Sequence, residues 1–203
     1  MKTKHLLNYL YLLGLLLTLS GCATFHPPQH TENVCAAFRE YPSWHKSTAK
    51  TEHRWGIPVY VQMAMMYHES AFDAEARPPR RKLLWVIPWS RPSSAYGYAQ
   101  ALDGTWADYQ RENHKSNAKR NRFADANDFM GWYSHKIHKQ LKIPLSDAKH
   151  LYLAYHEGIN GFRRGSYKRQ PWLITYADKV QQRSQMYKQQ LKSCSSMVNH
   201  RRR

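Results

Sequence analysis

From residue 33 onward, apolar side chains recur at intervals of three and four residues, the spacing that places them on one face of an α-helix. The pattern is clearest in three segments, which contain Val34, Ala37, Phe38 and Tyr41; Ala126, Phe129, Met130, Tyr133, Ile137 and Leu141; and Leu173, Tyr176, Ala177, Val180, Tyr187 and Leu191. No segment alternates apolar and polar residues well enough to predict a strand, and no internal repeat is found. The sequence therefore predicts a compact all-α domain at residues 31–196.

Prolines and capping residues indicate where several helices begin. Pro42 suits the first turn of a second helix that ends near Trp55-Gly56, and Pro58 precedes a third helix from Val59 to about Ser70. Side chains that accept a hydrogen bond from a free backbone N–H predict three further starts, at Thr105 with Asp108, Asp125 with Asp128, and Ser146. In the helix after Ser146, one face carries Ala148, Leu151, Tyr152 and Tyr155. The final helix reaches Cys194 and is followed by a basic tail over residues 197–203.

The third predicted helix carries apolar or aromatic residues on every side and ends in His68-Glu69-Ser70. A helix without a polar stripe belongs in the centre of a domain. A carboxylate placed there costs free energy unless it is paired or stays protonated, so Glu69 is a candidate general acid. The alternative is an ordinary exposed carboxylate at a helix end.

Residues 76–96 interrupt the helical pattern, because four prolines forbid a long helix there. They combine cationic residues (Arg77, Arg80, Arg81, Lys82 and Arg91) with an apolar group (Leu83, Leu84, Trp85, Val86, Ile87 and Trp89). Two structures fit this composition: a loop that packs on the domain through its tryptophans, or an exposed binding surface. Aromatic rings stack on sugar faces, so an exposed loop would suit a sugar polymer.

Residues 1–21 have the features of an export signal. Two lysines precede an apolar stretch from Leu6 to Leu19, which is short for a stable membrane span. The sequence Leu19-Ser20-Gly21-Cys22 resembles the lipobox of bacterial lipoproteins. This resemblance implies cleavage before Cys22, acylation of that cysteine, and a lipidated tether over residues 22–30. The alternative is an uncleaved anchor helix with a chance cysteine.

Three cysteines are present, and assigning Cys22 to lipid leaves Cys35 and Cys194 as a pair. An exported protein meets an oxidising compartment, in which such a pair favours a disulfide that joins the first helix to the last. Two free buried thiols are the alternative, since the sequence gives no distance between the two residues.

The chain is strongly basic, with 31 lysine and arginine residues against 14 aspartate and glutamate residues and a net charge of +17. Such a surface attracts polyanions, namely nucleic acid, anionic lipid or anionic cell-wall polymers. Export makes nucleic acid a distant option. His135 and His138 share a predicted helix face, but no carboxylate–histidine set accompanies them, so we predict no metal site and no cofactor.

Three short motifs follow one another along the predicted domain. Glu69-Ser70 ends the buried helix, Gly97-Tyr98-Ala99-Gln100 follows the proline-broken segment, and Ala154-Tyr155-His156-Glu157-Gly158 ends a later helix. In this order they resemble the motifs Glu-Ser, Gly-Leu-Met-Gln and Ala-Tyr-Asn-Ala-Gly of lytic transglycosylases of the soluble (SLT) type, which share the goose-type lysozyme fold. The resemblance spans roughly residues 55–180.

The resemblance implies cleavage of the β-1,4 bond between N-acetylmuramic acid and N-acetylglucosamine in peptidoglycan, with a 1,6-anhydro sugar as product. A carboxylic acid with a raised pKa can protonate the leaving oxygen near neutral pH, and Glu69 is the candidate. No second carboxylate is needed if the acetamido group of the substrate attacks, a recognised exception to the two-carboxylate scheme. Ionised Glu69 would then take the proton from the muramoyl 6-hydroxyl as the anhydro ring closes.

By the same resemblance, the Tyr155 hydroxyl donates to Glu69 or to the sugar. Ser70 is expected to position the acid or the substrate, and Gln100 is expected to line the cleft. Each residue also has a structural alternative, respectively a core tyrosine, a helix end and a loop glutamine.

The chain departs from the family pattern at two places that we retain as candidate substrate contacts. Tyr98-Ala99 replaces Leu-Met in the second motif, and His156-Glu157 replaces Asn-Ala in the third. The loss of asparagine puts one expected sugar contact in doubt. As a second carboxylate near the cleft, Glu157 would permit simple hydrolysis.

The sequence thus predicts a peptidoglycan lytic transglycosylase, anchored by lipid on the periplasmic face of the outer membrane. Ala23, which follows the candidate lipidated cysteine, is compatible with outer-membrane sorting. Two alternatives are a muramidase that adds water and a catalytically inactive wall-binding or scaffold lipoprotein. The predicted partners are peptidoglycan glycan strands and the membrane through Cys22, without nucleic acid; an envelope protein partner is left unidentified.

Overall fold

Helices make up most of the protein in a computed structural model that describes residues 26–80, 82–83, 87–88 and 93–199. Seven α-helices occur within these ranges: α1 (Val34–Glu40), α2 (Pro42–Trp55), α3 (Val59–Ser70), α4 (Asp103–Glu112), α5 (Phe123–Leu141), α6 (Ala148–Arg163) and α7 (Pro171–Asn199). A single 3₁₀ turn, Ser166–Arg169, joins α6 to α7. The all-α prediction is confirmed. Cys22 with the predicted export signal, and Trp85 and Trp89, lie outside the described residues.

One short β-ladder interrupts the helical architecture. Strand β1 (Lys82–Leu83) pairs antiparallel with strand β2 (Ile87–Pro88) inside the proline-broken segment. Two residues per strand are too few to form an alternating pattern, so this ladder was not predictable from the sequence.

Helix α3 lies at the centre of the fold, as its uniformly apolar sequence predicts. It contacts α2, α5, α6 and α7. Residues 61–66 along its middle are all buried, and Val61, Met63, Met65 and Met66 are fully removed from solvent. Burial of each such side chain contributes about 1.5–3 kcal/mol, so the helix is fixed firmly enough to hold a polar group at its end.

The predicted helix bounds hold for α2 and α3, but three capping predictions were wrong. Helix α4 begins at Asp103, so Thr105 lies inside its first turn. Helix α5 begins at Phe123, two residues before Asp125. Asp147, rather than Ser146, caps α6 by accepting a hydrogen bond from the His150 backbone. In each case the residue predicted to cap the helix lies one to three residues after or before the position at which the helix is actually capped.

Asp128 is a buried ionic centre rather than part of a helix cap. Its carboxylate accepts hydrogen bonds from Lys115 at 2.6 Å, Tyr109 at 2.7 Å, Trp55 at 2.9 Å and Arg54 at 3.2 Å. Burial raises the pKa of Asp128, but these hydrogen bonds more than offset burial and hold the net pKa below its ordinary value. The network ties α2, α4 and α5 together at one end of the domain.

Cys35 and Cys194 form the predicted disulfide, which is confirmed. Their Cα atoms lie 6.2 Å apart across a sequence separation of 159 residues. The bridge joins α1 to the end of α7 and so closes a loop that contains nearly the whole domain. Although α7 is 29 residues long, no helix in the described part of the chain combines the length and apolarity needed to cross a membrane.

Candidate active site

The first motif lies where α3 ends in a sharp left-handed turn. Ala71 and Phe72 have φ values of 51° and 64°, which are unfavourable for residues other than glycine. The Ala71 N–H donates to the Tyr67 carbonyl at 2.7 Å, and the Phe72 ring is fully buried against Trp44. The buried Phe72 ring stabilises this strained turn. The turn itself ends α3 directly after Glu69 and Ser70.

Glu69 is a half-buried carboxyl group at the end of α3. Its Oε1 atom is inaccessible to solvent and has no hydrogen-bond partner among the described residues. Burial raises the pKa of Glu69 to about 8. The protonated acid therefore predominates at neutral pH, which is the form that donates a proton.

The neighbouring residue His68 supplies no compensating charge. Burial and the nearby Arg183 lower the pKa of His68 to about 4, so its ring is neutral at pH 7. A cation at this position would favour ionised Glu69 and lower its pKa. The neutral ring therefore helps to keep the acid protonated.

Three tyrosine side chains from α6 and α7 interact electrostatically with the acid. Burial is the main cause that raises the pKa values of Tyr152, Tyr155 and Tyr176, and the charge of Glu69 is the next. The Tyr176 hydroxyl also donates to the His68 carbonyl at 3.0 Å. Sequence reasoning identified Tyr155 but treated Tyr152 and Tyr176 as ordinary members of apolar helix faces, because spacing alone does not indicate what a buried tyrosine faces.

Tyr155 connects the second and third motifs. Its hydroxyl donates to the Ala99 carbonyl at 2.6 Å, so its single proton is engaged there. The expected donation to Glu69 is therefore not the arrangement in this structure, although the two side chains are neighbours. The competing acceptor is a backbone carbonyl, which no sequence motif could reveal.

Tyr98, a candidate substrate contact by sequence, is a core residue. Only 1% of it is exposed, and its ring packs edge-on against the stacked rings of Trp44 and Phe123 at 5.8 and 5.4 Å. Gly97 directs the chain inward here, since its φ is +75° and a Cβ atom would overlap the Arg120 carbonyl. Tyr98 thus has a structural role in the core, and a substrate contact by this residue stays a prediction.

Gln100 holds the base of the proline-broken segment. Its side-chain amide donates to the carbonyls of Ala76 at 3.0 Å and Gly97 at 2.8 Å, and the Gly97 N–H also donates to Ala76 at 2.9 Å. Gln100 thereby joins the two ends of the segment beside the second motif. Ser70 donates to the Met66 carbonyl at 3.3 Å and so satisfies the end of α3. Both residues have structural partners here, and a substrate role for either is a prediction.

The third motif contains a break in α6 at Gly158. Its φ of 71° and ψ of 159° are accessible essentially only to glycine. Burial raises the pKa of the nearby Tyr133 hydroxyl, and the backbone of Ile159, just after the break, lowers it in part. The ring of Tyr133 in turn packs on Tyr155 at 5.4 Å, so the break helps to position the tyrosines near Glu69.

Glu157 supports the connection between α6 and α7. Its carboxylate accepts hydrogen bonds from the Ser166 hydroxyl, from Gln170 at 3.0 Å and from the exposed His156 ring at 3.3 Å. Burial raises the pKa of Glu157, but these bonds outweigh it and leave the net pKa below its ordinary value. The side chain is thus ionised and holds the connection between α6 and α7 in place. The hypothesis that Glu157 is a free second carboxylate does not fit these contacts.

The histidines considered as metal ligands have other partners. His135 Nδ1 lies 3.1 Å from the Trp55 carbonyl, and His138 Nδ1 lies 2.8 Å from the Ile143 carbonyl. Within the described ranges, no group of three or more histidine, cysteine, aspartate or glutamate residues could hold a metal ion.

Comparison with known proteins identifies one relationship. A family model described as "Transglycosylase SLT domain" matches residues 10–194. The match includes all three motifs and both cysteines of the disulfide. No curated protein matches the chain.

Proposed function

The chain belongs to the transglycosylase SLT family, and from this premise we propose that it cleaves the glycan strands of peptidoglycan as a lytic transglycosylase. Family membership indicates peptidoglycan as the substrate. The observation that best supports the chemistry is the buried Glu69 carboxyl, whose raised pKa of about 8 keeps it protonated at neutral pH.

In the proposed reaction Glu69 acts first as acid and then as base. Its proton passes to the oxygen of the bond between N-acetylmuramic acid and N-acetylglucosamine, and the N-acetylglucosamine side leaves as an alcohol. The acetamido oxygen of the muramoyl residue attacks C1 from the opposite face as that bond breaks. The 6-hydroxyl then attacks C1, the bond between C1 and the acetamido oxygen breaks, and the hydroxyl proton passes to the Glu69 carboxylate. The acetamido group is thereby restored, and the 1,6-anhydro ring closes without consuming water.

The surrounding residues would support this cycle in different ways. Tyr155 positions the second motif through Ala99 and helps to exclude water from the acid. The ionised Glu157 is held by Ser166 and Gln170, so it is poorly suited to activate a water molecule. This engagement favours the transglycosylase over the muramidase, and the isolated Glu69 favours an active enzyme over a scaffold.

We also propose that the enzyme acts from a lipid anchor. Residues 1–21 would be a lipoprotein signal peptide, and Cys22 would carry lipid at the head of a tether over residues 22–30. Residues 31–196 would then face the periplasm from the outer membrane. The disulfide supports an oxidising compartment, since such bonds persist outside the reducing cytosol.

Release of soluble fragments from purified sacculi tests the assignment of the acid. We expect Glu69→Gln to lower turnover by about 10²- to 10⁴-fold, because the amide cannot protonate the leaving oxygen. Glu40→Gln, at the exposed end of α1, is the matched carboxylate control and should retain wild-type activity. Glu157→Gln should leave the kind of product unchanged. Retained activity in folded Glu69→Gln would contradict the assignment.

A further inference from the structure

Trp172 is an exposed aromatic side chain that the proposed reaction does not yet use. It is 58% exposed at the start of α7, and Leu102 at 47% is the other strongly exposed large hydrophobic residue in the described part of the chain. Sequence analysis did not single it out. Tryptophan is enriched among the residues that contribute most to binding, so an exposed tryptophan beside a family motif is a candidate binding contact.

Two contacts place Trp172 beside the active site. Its ring lies 5.5 Å from that of His156, the residue that follows Tyr155 in the third motif. Tyr176, one helical turn further along α7, donates to the carbonyl of His68, next to Glu69. Four residues of helix rise about 6 Å, so Trp172 and the acid are within reach of the same extended ligand.

The backbone at Trp172 is held in place by the hydrogen bonds around Glu157. Gln170 donates to Glu157 at 3.0 Å, and the Leu173 N–H donates back to the Gln170 carbonyl at 3.0 Å. Leu173 itself is fully buried, which anchors the first turn of α7. A ring that is fixed before binding loses little conformational entropy when a ligand stacks on it.

Exposed cations precede this ring. Arg163, Arg164, Lys168 and Arg169 are all exposed, and none of them forms an ion pair with the residues that the structure describes. Peptide-bearing glycan strands carry carboxylates, which such a group would attract. The surface therefore combines an apolar ring with positive charge.

We propose that Trp172, with His156 at its edge, stacks on a sugar ring of the glycan strand whose scissile bond lies at Glu69. The exposed cations at residues 163–169 engage carboxylates of the same strand. The inference rests on the proposed function and extends it by naming a binding surface. Tryptophan with basic residues also suits an anionic lipid surface, but the contact of this ring with His156 of the third motif favours the glycan.

Binding without turnover tests the proposal. In the Glu69→Gln background, affinity is measured by calorimetry for soluble tetra-N-acetylglucosamine, a neutral probe, and by sedimentation for intact sacculi. Trp172→Ala should weaken both by about tenfold, the usual cost of losing an aromatic anchor, and Trp172→Tyr should restore most of the affinity. Lys168→Gln with Arg169→Gln should weaken sacculus binding at low salt and spare the neutral tetramer.

Leu102→Ala is the matched control, since it removes another exposed apolar side chain, and it should bind as the parent does. Equal tetramer affinity for the parent and Trp172→Ala, or no saturable tetramer binding by the parent, overturns the proposal. So does loss of binding to phosphatidylglycerol vesicles in Trp172→Ala with unchanged sugar affinity, which would indicate a membrane contact. Trp172-dependent sugar binding without cleavage products from the wild type would contradict the proposed function alone.

Discussion

Replacement of Glu69 by glutamine should stabilise the protein, and the gain should depend on pH. The pKa of Glu69 is about 8 in the folded state against an ordinary value of 4.5, and burial is the cause. Between these two values the folded state retains a proton that the unfolded state has lost, so wild-type stability falls as the pH rises. Glutamine has no such proton and removes this dependence.

The size of the effect follows from the same two values. Each pKa unit corresponds to about 1.4 kcal/mol, so ionisation linkage disfavours the folded wild type by about 3 kcal/mol at pH 7 and about 1 kcal/mol at pH 5. The Glu69 side chain is partly exposed, and water there reduces the penalty. We therefore expect Glu69→Gln to gain about 1–3 kcal/mol at pH 7 and clearly less at pH 5.

Urea denaturation of the disulfide-intact domain at several pH values measures the difference directly. The free-energy difference between Glu69→Gln and wild type should rise steadily from pH 5 to pH 8 and level off above it. Glu40→Gln, which replaces an exposed carboxylate, should show no comparable rise. A difference that stays constant with pH would refute the argument that burial keeps Glu69 protonated, and so would a variant less stable than wild type throughout.

Three further predictions concern the rest of the fold. Reduction of Cys35–Cys194 should lower the melting temperature, since a loop closed over 159 residues contributes about 5 kcal/mol in the chain-entropy model; free thiols in oxidised protein, detected by alkylation and mass mapping, would contradict it. Asp128→Asn should destabilise the protein by about 2–4 kcal/mol at pH 7, because it removes the buried charge that pairs with the partly exposed Lys115 and Arg54. The folded-state pKa of Asp128 lies below its ordinary value of 3.8, so this contribution should shrink as the pH falls below that value, and urea melts that show the same loss at pH 3 and pH 7 would refute it. Trp85→Ala with Trp89→Ala should reduce sacculus binding and leave the circular dichroism spectrum intact; a collapsed spectrum would mean that these rings belong to the core.

Much of the fold was predictable because it depends on local spacing. The apolar stripes gave the helices, and Pro42 and Pro58 gave the starts of α2 and α3. The pairing of Cys35 with Cys194 was predictable from the number of cysteines and the oxidising compartment, although the distance between the two residues was not known. In each case a short sequence pattern or a residue count carried the information.

The errors arose where a residue's partner lies far away in the sequence. Asp128 matched a capping pattern, but three of its four hydrogen-bond donors (Arg54, Trp55 and Tyr109) lie 19 to 74 residues away along the chain. Tyr98 belongs to a motif, yet the turn at Gly97 and two distant rings bury it. Side-chain direction depends on tertiary packing, which a two- or four-residue motif does not encode.

The catalytic acid of the candidate site was predictable from the sequence, but several of the residues around it were not. Glu69 stood out because a carboxylate rarely ends an apolar helix. Tyr152 and Tyr176 matched helix stripes and gave no separate signal, although both lie near the acid. Trp172 gave none either, since its exposure depends on how α6 and α7 meet.

Digestion of purified sacculi in ¹⁸O-labelled water, followed by mass spectrometry of the released fragments, tests the central claim most directly. If the muramoyl 6-hydroxyl is the nucleophile and Glu69 accepts its proton, the products end in 1,6-anhydromuramic acid. Such products resist borohydride and contain no ¹⁸O at the muramoyl end. The same fragments should be absent with Glu69→Gln. Reducing muramoyl ends that carry ¹⁸O would show that water is the nucleophile and would contradict the account.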